Sequence, residues 1–278
     1  FKSNEFQEFL IDNAQQMLSW LKQVTFKNGD IPHFNDSTDG ISFSSSWLFD
    51  YAKLLNIKEI IIPLGASGYR SVSRHNYECK IDFAALGATY QPGHAHADAL
   101  SFILYYKNEP LFVEAGTSSY EKGLKRNYER STSAHNTVVF KNLNQSEIWS
   151  GFRVGKRAKT TIKLDKPYQL YAEHDGYKKT IHEREFIFED SFISIIDKLT
   201  NNFKEEGVFY LHVYPGIKVR LNKYSVEIDK ISVLEFSPEA KIELSDYEMA
   251  TGFNETFKGI QIKVIFTTIL ITTIKFLK

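Results

Sequence analysis

The sequence of 278 residues has a single cysteine, Cys79, no net charge and no long apolar run free of charged residues. One cysteine excludes an internal disulfide, so cysteine usage does not reveal the redox compartment. Since 34 basic residues balance 34 acidic ones, no overall field attracts nucleic acid or an anionic membrane. An anionic ligand would have to meet local Arg, Lys or His side chains.

The most apolar stretch, residues 259–278, raises the question of a membrane helix. Lys263 and Lys275 interrupt it, and β-branched residues and Phe dominate it, which favours buried strands. The N-terminal 24 residues are amphipathic and contain Glu5, Glu8 and Asp12, unlike a signal peptide. The sequence therefore predicts no membrane span.

Helical periodicity is confined to the first part of the chain. Apolar residues three, four and seven apart predict one amphipathic helix ending near Asn28 and Gly29: Phe6, Phe9, Leu10, Met17, Leu18 and Leu21. After a polar loop over residues 29–40, serines 44–46 offer an N-cap for a second, short helix. Two such helices need a partner for their apolar faces, so they either pack on the part of the chain that follows or are the end of a larger helical domain. The second is expected, with residues 1–64 as the end of that domain plus a linker.

From about Ser67 the pattern alternates with a period of two, as in residues 100–106 and 180–188. Many strands without intervening helices predict a mainly β fold, a large antiparallel β-sandwich over residues 65–278. An aromatic content of 14% suits β structure and would also suit a sugar-binding cleft.

Residues 93–98 (GHAHAD) form the densest polar cluster. In an extended strand, His94 and His96 would project to the same face. Glu114 follows an apolar strand, and His135 lies in a polar segment downstream. Two imidazoles and a carboxylate make a plausible three-ligand zinc set, although a His-X-His pair also occurs by chance.

Four segments together resemble the heparinase II/III family: 93–102 (GHAHADALSF), 112–117 (FVEAGT), 128–138 (YERSTSAHNTV) and 145–158 (QSEIWSGFRVGKRA). Residues 29–37 (GDIPHFNDS) resemble the family's link between its helical and β parts. The resemblance implies an α/α toroid followed by an antiparallel β-sandwich, with the substrate cleft between them. It also implies a periplasmic or secreted polysaccharide lyase that cleaves uronic-acid-containing chains by β-elimination.

Carried over residue by residue, the resemblance assigns His94 to positioning or neutralising the uronate carboxylate. His96, Glu114 and His135 match the zinc ligands, and the zinc is expected to be structural. The family more often has Asp where Glu114 stands, and the extra methylene moves the carboxylate outward by roughly 1.5 Å. Asp98 and Asn136 are candidate partners for the imidazoles, with turn or strand-end roles as the alternative.

Four residues are expected to line the cleft and contact substrate: Arg130, Tyr120, Tyr128 and Asn35. The Arg130 guanidinium matches a planar carboxylate or sulfate, although a structural ion pair would explain it equally well. Both tyrosines also fit packing roles, and an Asx-turn would also explain Asn35 and its neighbour Asp36.

No tyrosine here matches the family's catalytic Tyr, which belongs to the toroid, so this chain alone is expected to be inactive. A metal-dependent glycan hydrolase remains an alternative, because the same ligands could activate water. A non-catalytic carbohydrate-binding or structural β-sandwich is a second alternative. An acidic polysaccharide is the expected partner in the leading interpretation.

Overall fold

The computed structural model describes residues 4–200 and 205–277. Its helices are α1 (Asn4–Val24), α2 (Ser45–Leu54) and α3 (Leu124–Glu129). The Ser44 side chain accepts a hydrogen bond from the Trp47 amide, which confirms the N-cap predicted for α2. Helix α1 ends before the predicted Asn28 because the Phe26 amide turns to bond the Asp30 carbonyl at 2.8 Å.

Eighteen strands follow in the described residues, and they are connected mostly by short loops and turns. Their bounds are β1 Tyr69–Ser73, β2 Tyr77–Asp82, β3 Phe102–Tyr106, β4 Glu109–Val113, β5 Val138–Phe140, β6 Ile148–Trp149, β7 Arg153–Val154, β8 Thr160–Lys166, β9 Gln169–Tyr177, β10 Thr180–Phe188, β11 Phe192–Thr200, β12 Gly207–Val213, β13 Val219–Leu221, β14 Ser225–Ile228, β15 Ser232–Phe236, β16 Lys241–Gly252, β17 Glu255–Phe266 and β18 Ile269–Phe276.

The strands form two eight-stranded sheets and a small β6–β7 hairpin, and each paired neighbour is antiparallel. The first sheet has the order β1-β2-β3-β4-β12-β17-β16, with β5 also paired to β12. The second has the order β13-β14-β15-β18-β11-β10-β9-β8. The expected antiparallel sandwich is confirmed, and so is the strand character of the apolar C-terminal run.

One apolar core joins the two sheets, because alternate residues of each strand point inward. Phe102 of the first sheet meets Phe186 of the second edge to face, with ring centroids 5.6 Å apart. Strand β10 alternates strictly between buried and half-buried residues. Its inward set contains the polar residues His182 and Arg184 beside Phe186 and Phe188.

The helical segment packs on the outer side of β1–β3. Phe26 stacks on Tyr105 with ring centroids 3.8 Å apart, and Trp20 meets Tyr69 edge to face. Away from this contact, α1 and α2 expose large apolar side chains, among them Met17 and Leu54. Among the described residues, no helix combines the length and apolarity needed to cross a bilayer. The division at residue 64 stays a prediction.

Candidate functional site

Residues 92–101 form a loop between β2 and β3, so the prediction that His94 and His96 lie on an extended strand is wrong. The main chain bonds to turns and to α3 instead of a neighbouring strand: the Ala95 amide donates to the Pro92 carbonyl and the Ala97 amide to the Arg130 carbonyl. The two imidazoles still converge, because both reach one carboxylate that comes from the linker.

That carboxylate belongs to Asp36, whose side chain is 4% exposed. Arg126 donates to both of its oxygens, with Nη2 2.7 Å from Oδ2. The His96 Nε2 lies 2.8 Å from Oδ1 and the His94 Nδ1 lies 3.0 Å from Oδ2. Thr117 donates its hydroxyl to Oδ1 at 3.2 Å. Asp36 therefore joins the linker to the β2–β3 loop, to the loop after β4 and to helix α3.

Burial acts to raise the pKa of Asp36, but hydrogen bonds from His96 and Arg126 outweigh it and hold that pKa well below its usual range. An ionised Asp36 only accepts hydrogen bonds, so the His96 Nε2 must carry its proton. The Nδ1 of a neutral His96 then has no proton and carries a free lone pair. Burial lowers the pKa of His96 to about 3, which favours that neutral form.

A second group of carboxylates lies deeper. Ligand atoms of Asp98, Glu114 and His135 all lie within 4.8 Å of one another, and all three residues are buried. The His135 Nδ1 is 2.7 Å from the Glu114 Oε2. The ring of His96 stands beside this group, with its centroid 5.3 Å from that of His135. The nearest three-ligand set thus has Asp98 where sequence analysis placed His96.

This group, which we call the acidic cluster (Asp98, Glu114 and His135), lacks hydrogen bonds that buried polar atoms normally make. One atom in each residue has no partner of acceptable geometry in the described part of the chain: Asp98 Oδ2, Glu114 Oε1 and His135 Nε2. The Nδ1 of His96 is unpartnered in the same way. Imidazole nitrogens and carboxylate oxygens of this kind are donors that zinc accepts.

The pKa values of the acidic cluster show that its carboxylates are in an environment that disfavours their charge. Burial raises the pKa values of Asp98 and Glu114, and the carboxylate of nearby Asp82 raises that of Asp98 further. Burial lowers the pKa of His135 to about 4, so the imidazole supplies no charge to balance them. A divalent cation would stabilise the ionised carboxylates in this position.

Above Asp36, His94 is the solvent-facing member, with 60% of its side chain exposed. Tyr120 and Phe152 flank its ring, with centroids 5.7 and 5.3 Å away, and Phe253 packs on Tyr120. The Arg126 guanidinium lies against the rings of Tyr120 and Phe152. Tyr120 therefore lies beside His94, as expected for a residue that lines a cleft.

Two of the other expected substrate contacts, Arg130 and Asn35, have protein partners instead. Arg130 is 1% exposed and donates to main-chain carbonyls, including Ala95 at 2.9 Å, so its fork does not face solvent. Asn35 accepts from the His96 amide and donates to the Tyr69 hydroxyl. Tyr128 has a buried hydroxyl. In this structure Arg130 and Asn35 hold the loops of the site in place.

Arg126 is a residue that sequence reasoning missed, although it lies four positions before Arg130. Both guanidinium groups donate to the Gly151 carbonyl, which fixes the loop that carries Phe152 beside His94. Asp36 was considered, together with Asn35, as a linker residue that either faces the cleft or forms an Asx-turn, and not as the partner of both histidines. Its inward direction follows from Asn35, whose φ of 56° is left-handed, a conformation that Asn tolerates better than most residues.

A separate set of buried polar residues, which we call the arginine cluster (Arg184, Asp197, His182 and His174), supports the site from the second sheet. Arg184 donates to both oxygens of Asp197 at 2.7 and 3.0 Å. Its Nη1 also donates to the carbonyls of Leu100 and Asn136, at 2.8 and 2.7 Å. These carbonyls belong to the loops that carry Asp98 and His135.

Asn136 was considered as a hydrogen-bond partner of the site imidazoles, but it does not bond His94, His96 or His135. Its amide donates to the carbonyls of Phe102 and Val113, and its Oδ1 accepts from the His212 amide. It therefore joins β3, β4 and β12 directly beneath His135.

Comparison with known proteins adds independent findings. Residues 56–273 match the model of the family described as heparinase II/III-like, C-terminal. A heparin-sulfate lyase from Bacteroides stercoris is 30% identical over 240 residues, which cover 75% of this chain and 34% of that protein.

Solved structures show the same fold. A heparinase III structure superposes with a TM-score of 0.80 at 18% identity, covering 98% of this chain and 47% of that one. A heparan sulfate lyase from Pedobacter heparinus gives a TM-score of 0.75 at 14% identity, covering 94% of this chain and 46% of that one. The chain thus spans about a third to a half of the length of these proteins.

Proposed function

Since the chain belongs to the heparinase II/III-like family through its C-terminal domain, we propose that it forms the β-sandwich part of a polysaccharide lyase. The substrate class is a uronic-acid-containing acidic polysaccharide, and the name of the Bacteroides relative supports the heparin-sulfate type. The reaction is β-elimination. A base takes the C5 proton, the C5–H electrons form a C4–C5 double bond, and the C4–oxygen bond breaks as that oxygen gains a proton.

His94 is the residue of this chain that meets the uronate. Asp36 accepts the proton on His94 Nδ1, which fixes the ring and directs Nε2 to the exposed side. A protonated His94 presents Nε2–H to the substrate carboxylate and neutralises it, which stabilises the negative charge that develops when C5 loses its proton. The observation that carries this role is an exposed imidazole held by a buried, ionised carboxylate.

The aromatic residues around His94 supply a surface for sugar rings. Phe152 and Phe253 are 43% and 36% exposed, so part of each ring is available to contact a sugar. Arg153 is exposed at the start of β7, directly after Phe152, and is a candidate contact for a carboxylate or sulfate. The buried Arg130 is not assigned to substrate in this proposal.

Zinc is the proposed metal, held by His135 and Glu114 with His96 Nδ1 and Asp98 as the remaining donors. The unpartnered atoms of these four residues support it, as does the position of Asp36 behind the His96 ring, an arrangement common behind metal-bound histidines. Bound zinc would neutralise the buried carboxylates and tie together the loops that present His94.

Burial of the cluster argues for a structural metal over the hydrolase alternative. Asp98, Glu114 and His135 are between 1% and 5% exposed, which leaves little room for a glycan at the metal. A hydrolytic zinc site instead keeps one position open to water and substrate. Only an activity measurement distinguishes the lyase from the alternative of a non-catalytic carbohydrate-binding or structural β-sandwich.

The test uses the intact protein and a panel of acidic polysaccharides, with release of unsaturated uronate followed by ultraviolet absorbance. We expect His94→Ala to lower turnover by about 10²–10³ and to leave the metal content unchanged. His75→Ala, which alters another exposed histidine, is the matched control. Cleavage without an unsaturated product would indicate a hydrolase, and no cleavage of any polymer would favour a non-catalytic binding domain.

A further inference from the structure

A polar pocket of about 220 Å³ lies on the far side of the linker from His94. Its lining includes the carboxylates of Asp30, Asp39 and Glu109 together with His33, and no Lys or Arg is among the described lining residues. The linker residues 30–39 therefore have two roles: Asp36 enters the site from one side, and Asp30, His33 and Asp39 line this pocket on the other.

Glu114 forms the inner end of the pocket. It lines the pocket and is also a member of the acidic cluster, although the residue is only 1% exposed. Its Oε1 is one of the unpartnered atoms described above. His94, His96 and Asp36 do not line the pocket. A buried carboxylate oxygen without a partner thus ends a path whose outer walls carry three further carboxylates.

Resting on the metal site proposed above, we propose that this pocket is the route by which a divalent metal ion enters and leaves the acidic cluster. A buried metal site needs an entry path, and the aromatic side is packed with Tyr120 and Phe152. Carboxylates at the outer end concentrate a cation there, and Glu114 receives it at the inner end. The side chain of Asp39 is 71% exposed, so it acts on the approaching ion from solvent.

Entry and binding can be separated by kinetics. Metal-free intact protein is mixed with zinc in stopped flow, and uptake is followed by competition with a chromophoric zinc indicator. We expect Asp39→Lys to lower the association rate constant by about tenfold, with a smaller decrease for Asp39→Asn. The wild-type rate should fall with ionic strength, and the rate of Asp39→Lys should fall less steeply, because Asp30 and Glu109 remain.

Asp50→Lys is the matched control, because Asp50 is equally exposed, at 72%, but lies on α2 outside the pocket. Its association rate should equal that of the wild type. A second variant, Glu109→Trp, adds bulk at the outer end of the pocket. It should slow uptake and release by the same factor and leave the dissociation constant unchanged, since one path serves both directions.

Uptake at the wild-type rate in both Asp39→Lys and Glu109→Trp would overturn the route. A lower zinc stoichiometry at saturation in Asp39→Lys would also overturn it, because Asp39 would then belong to the binding site itself. If the wild-type protein binds no zinc at equilibrium, the metal site fails first and the route fails with it.

Discussion

The acidic cluster and the arginine cluster are equally buried, and both combine histidine with carboxylate, yet they differ in one respect. In the arginine cluster, Gly176 donates to His174 Nδ1, His174 Nε2 lies 3.1 Å from His182 Nδ1, and His182 Nε2 lies 2.7 Å from Asp197. Because an ionised Asp197 only accepts, His182 Nε2 donates to it, His174 Nε2 donates to His182 Nδ1, and the Gly176 amide donates to His174 Nδ1. Each imidazole then carries one proton and is neutral. In the acidic cluster, each residue retains an unpartnered atom.

This difference is the basis for proposing a metal in the acidic cluster and a structural role for the arginine cluster. Charge is balanced in the arginine cluster, where Arg184 faces Asp197 and lowers its pKa against the effect of burial. Among residues 4–200 and 205–277, no Lys or Arg side chain bonds the carboxylates of the acidic cluster, and burial raises their pKa values. Burial of polar residues is therefore a poor guide to function by itself. Buried polar atoms without hydrogen-bond partners are the more informative feature.

The largest expected effect on stability comes from breaking the complete network. Arg184→Met leaves Asp197 as an unpaired buried charge and removes a donor from the Leu100 and Asn136 carbonyls. We expect the free energy of unfolding to fall by about 3–5 kcal/mol, with or without zinc. Urea unfolding of the variant and the wild type measures it.

The control for Arg184 is Arg70→Met, which breaks an ion pair with the half-exposed Asp165. Pairs of that kind contribute about 0–1 kcal/mol. Equal losses in the two variants would mean that the arginine cluster is no more important than a surface pair.

The second prediction concerns the incomplete cluster, where zinc itself should supply the stability. At a zinc concentration of 100 times the dissociation constant, the wild type should gain about 2.7 kcal/mol. His135→Ala and His96→Ala should bind little zinc and lose most of that gain. Unfolding curves with and without zinc, together with metal analysis, decide it.

His174→Gln should keep the gain from zinc, since His174 belongs to the arginine cluster. A full gain in His135→Ala would place the metal somewhere else.

The third and smallest effect is a pH dependence of the arginine cluster. Burial lowers the pKa of His174 well below its ordinary 6.5. Below pH 6.5 the unfolded chain therefore binds a proton at this position that the folded chain does not, and stability falls as pH falls. The slope is about 1.4 kcal/mol per pH unit for one proton.

Between about pH 6 and pH 5, the free energy of unfolding of His174→Gln should therefore depend less steeply on pH, by the contribution of one proton. The comparison of the two slopes isolates His174 from other groups that titrate in this range. Parallel pH profiles would show that His174 is not neutral in the folded protein.

Local patterns of the sequence predict the sandwich well. Alternation gives β10 its bounds without error, and Ser44 marks the start of α2. These features depend on neighbouring residues, so a short window contains the information. The length of α1 was overestimated because the turn after it depends on a bond between Phe26 and Asp30.

The site depends on contacts between distant residues, and there the sequence is less informative. Asp36 and Arg126 are 90 positions apart, and neither has a local signal for the pair that they form. Arg130 has the side chain expected of an anion binder, but its donors are used by main-chain carbonyls. Tyr120 and His94, which the family resemblance assigns to one cleft, do lie beside each other, with ring centroids 5.7 Å apart, and their role in binding substrate stays a prediction.

The position of Asp36 in the linker has a practical consequence for cutting or recombining this protein. The family match begins at residue 56, and the change in periodicity lies near residue 67. A sandwich expressed from either point would lack Asp36 and would leave the Arg126 guanidinium buried without its carboxylate. A chimera should therefore be joined upstream of residue 26, so that the linker travels with the sandwich and not with the helices.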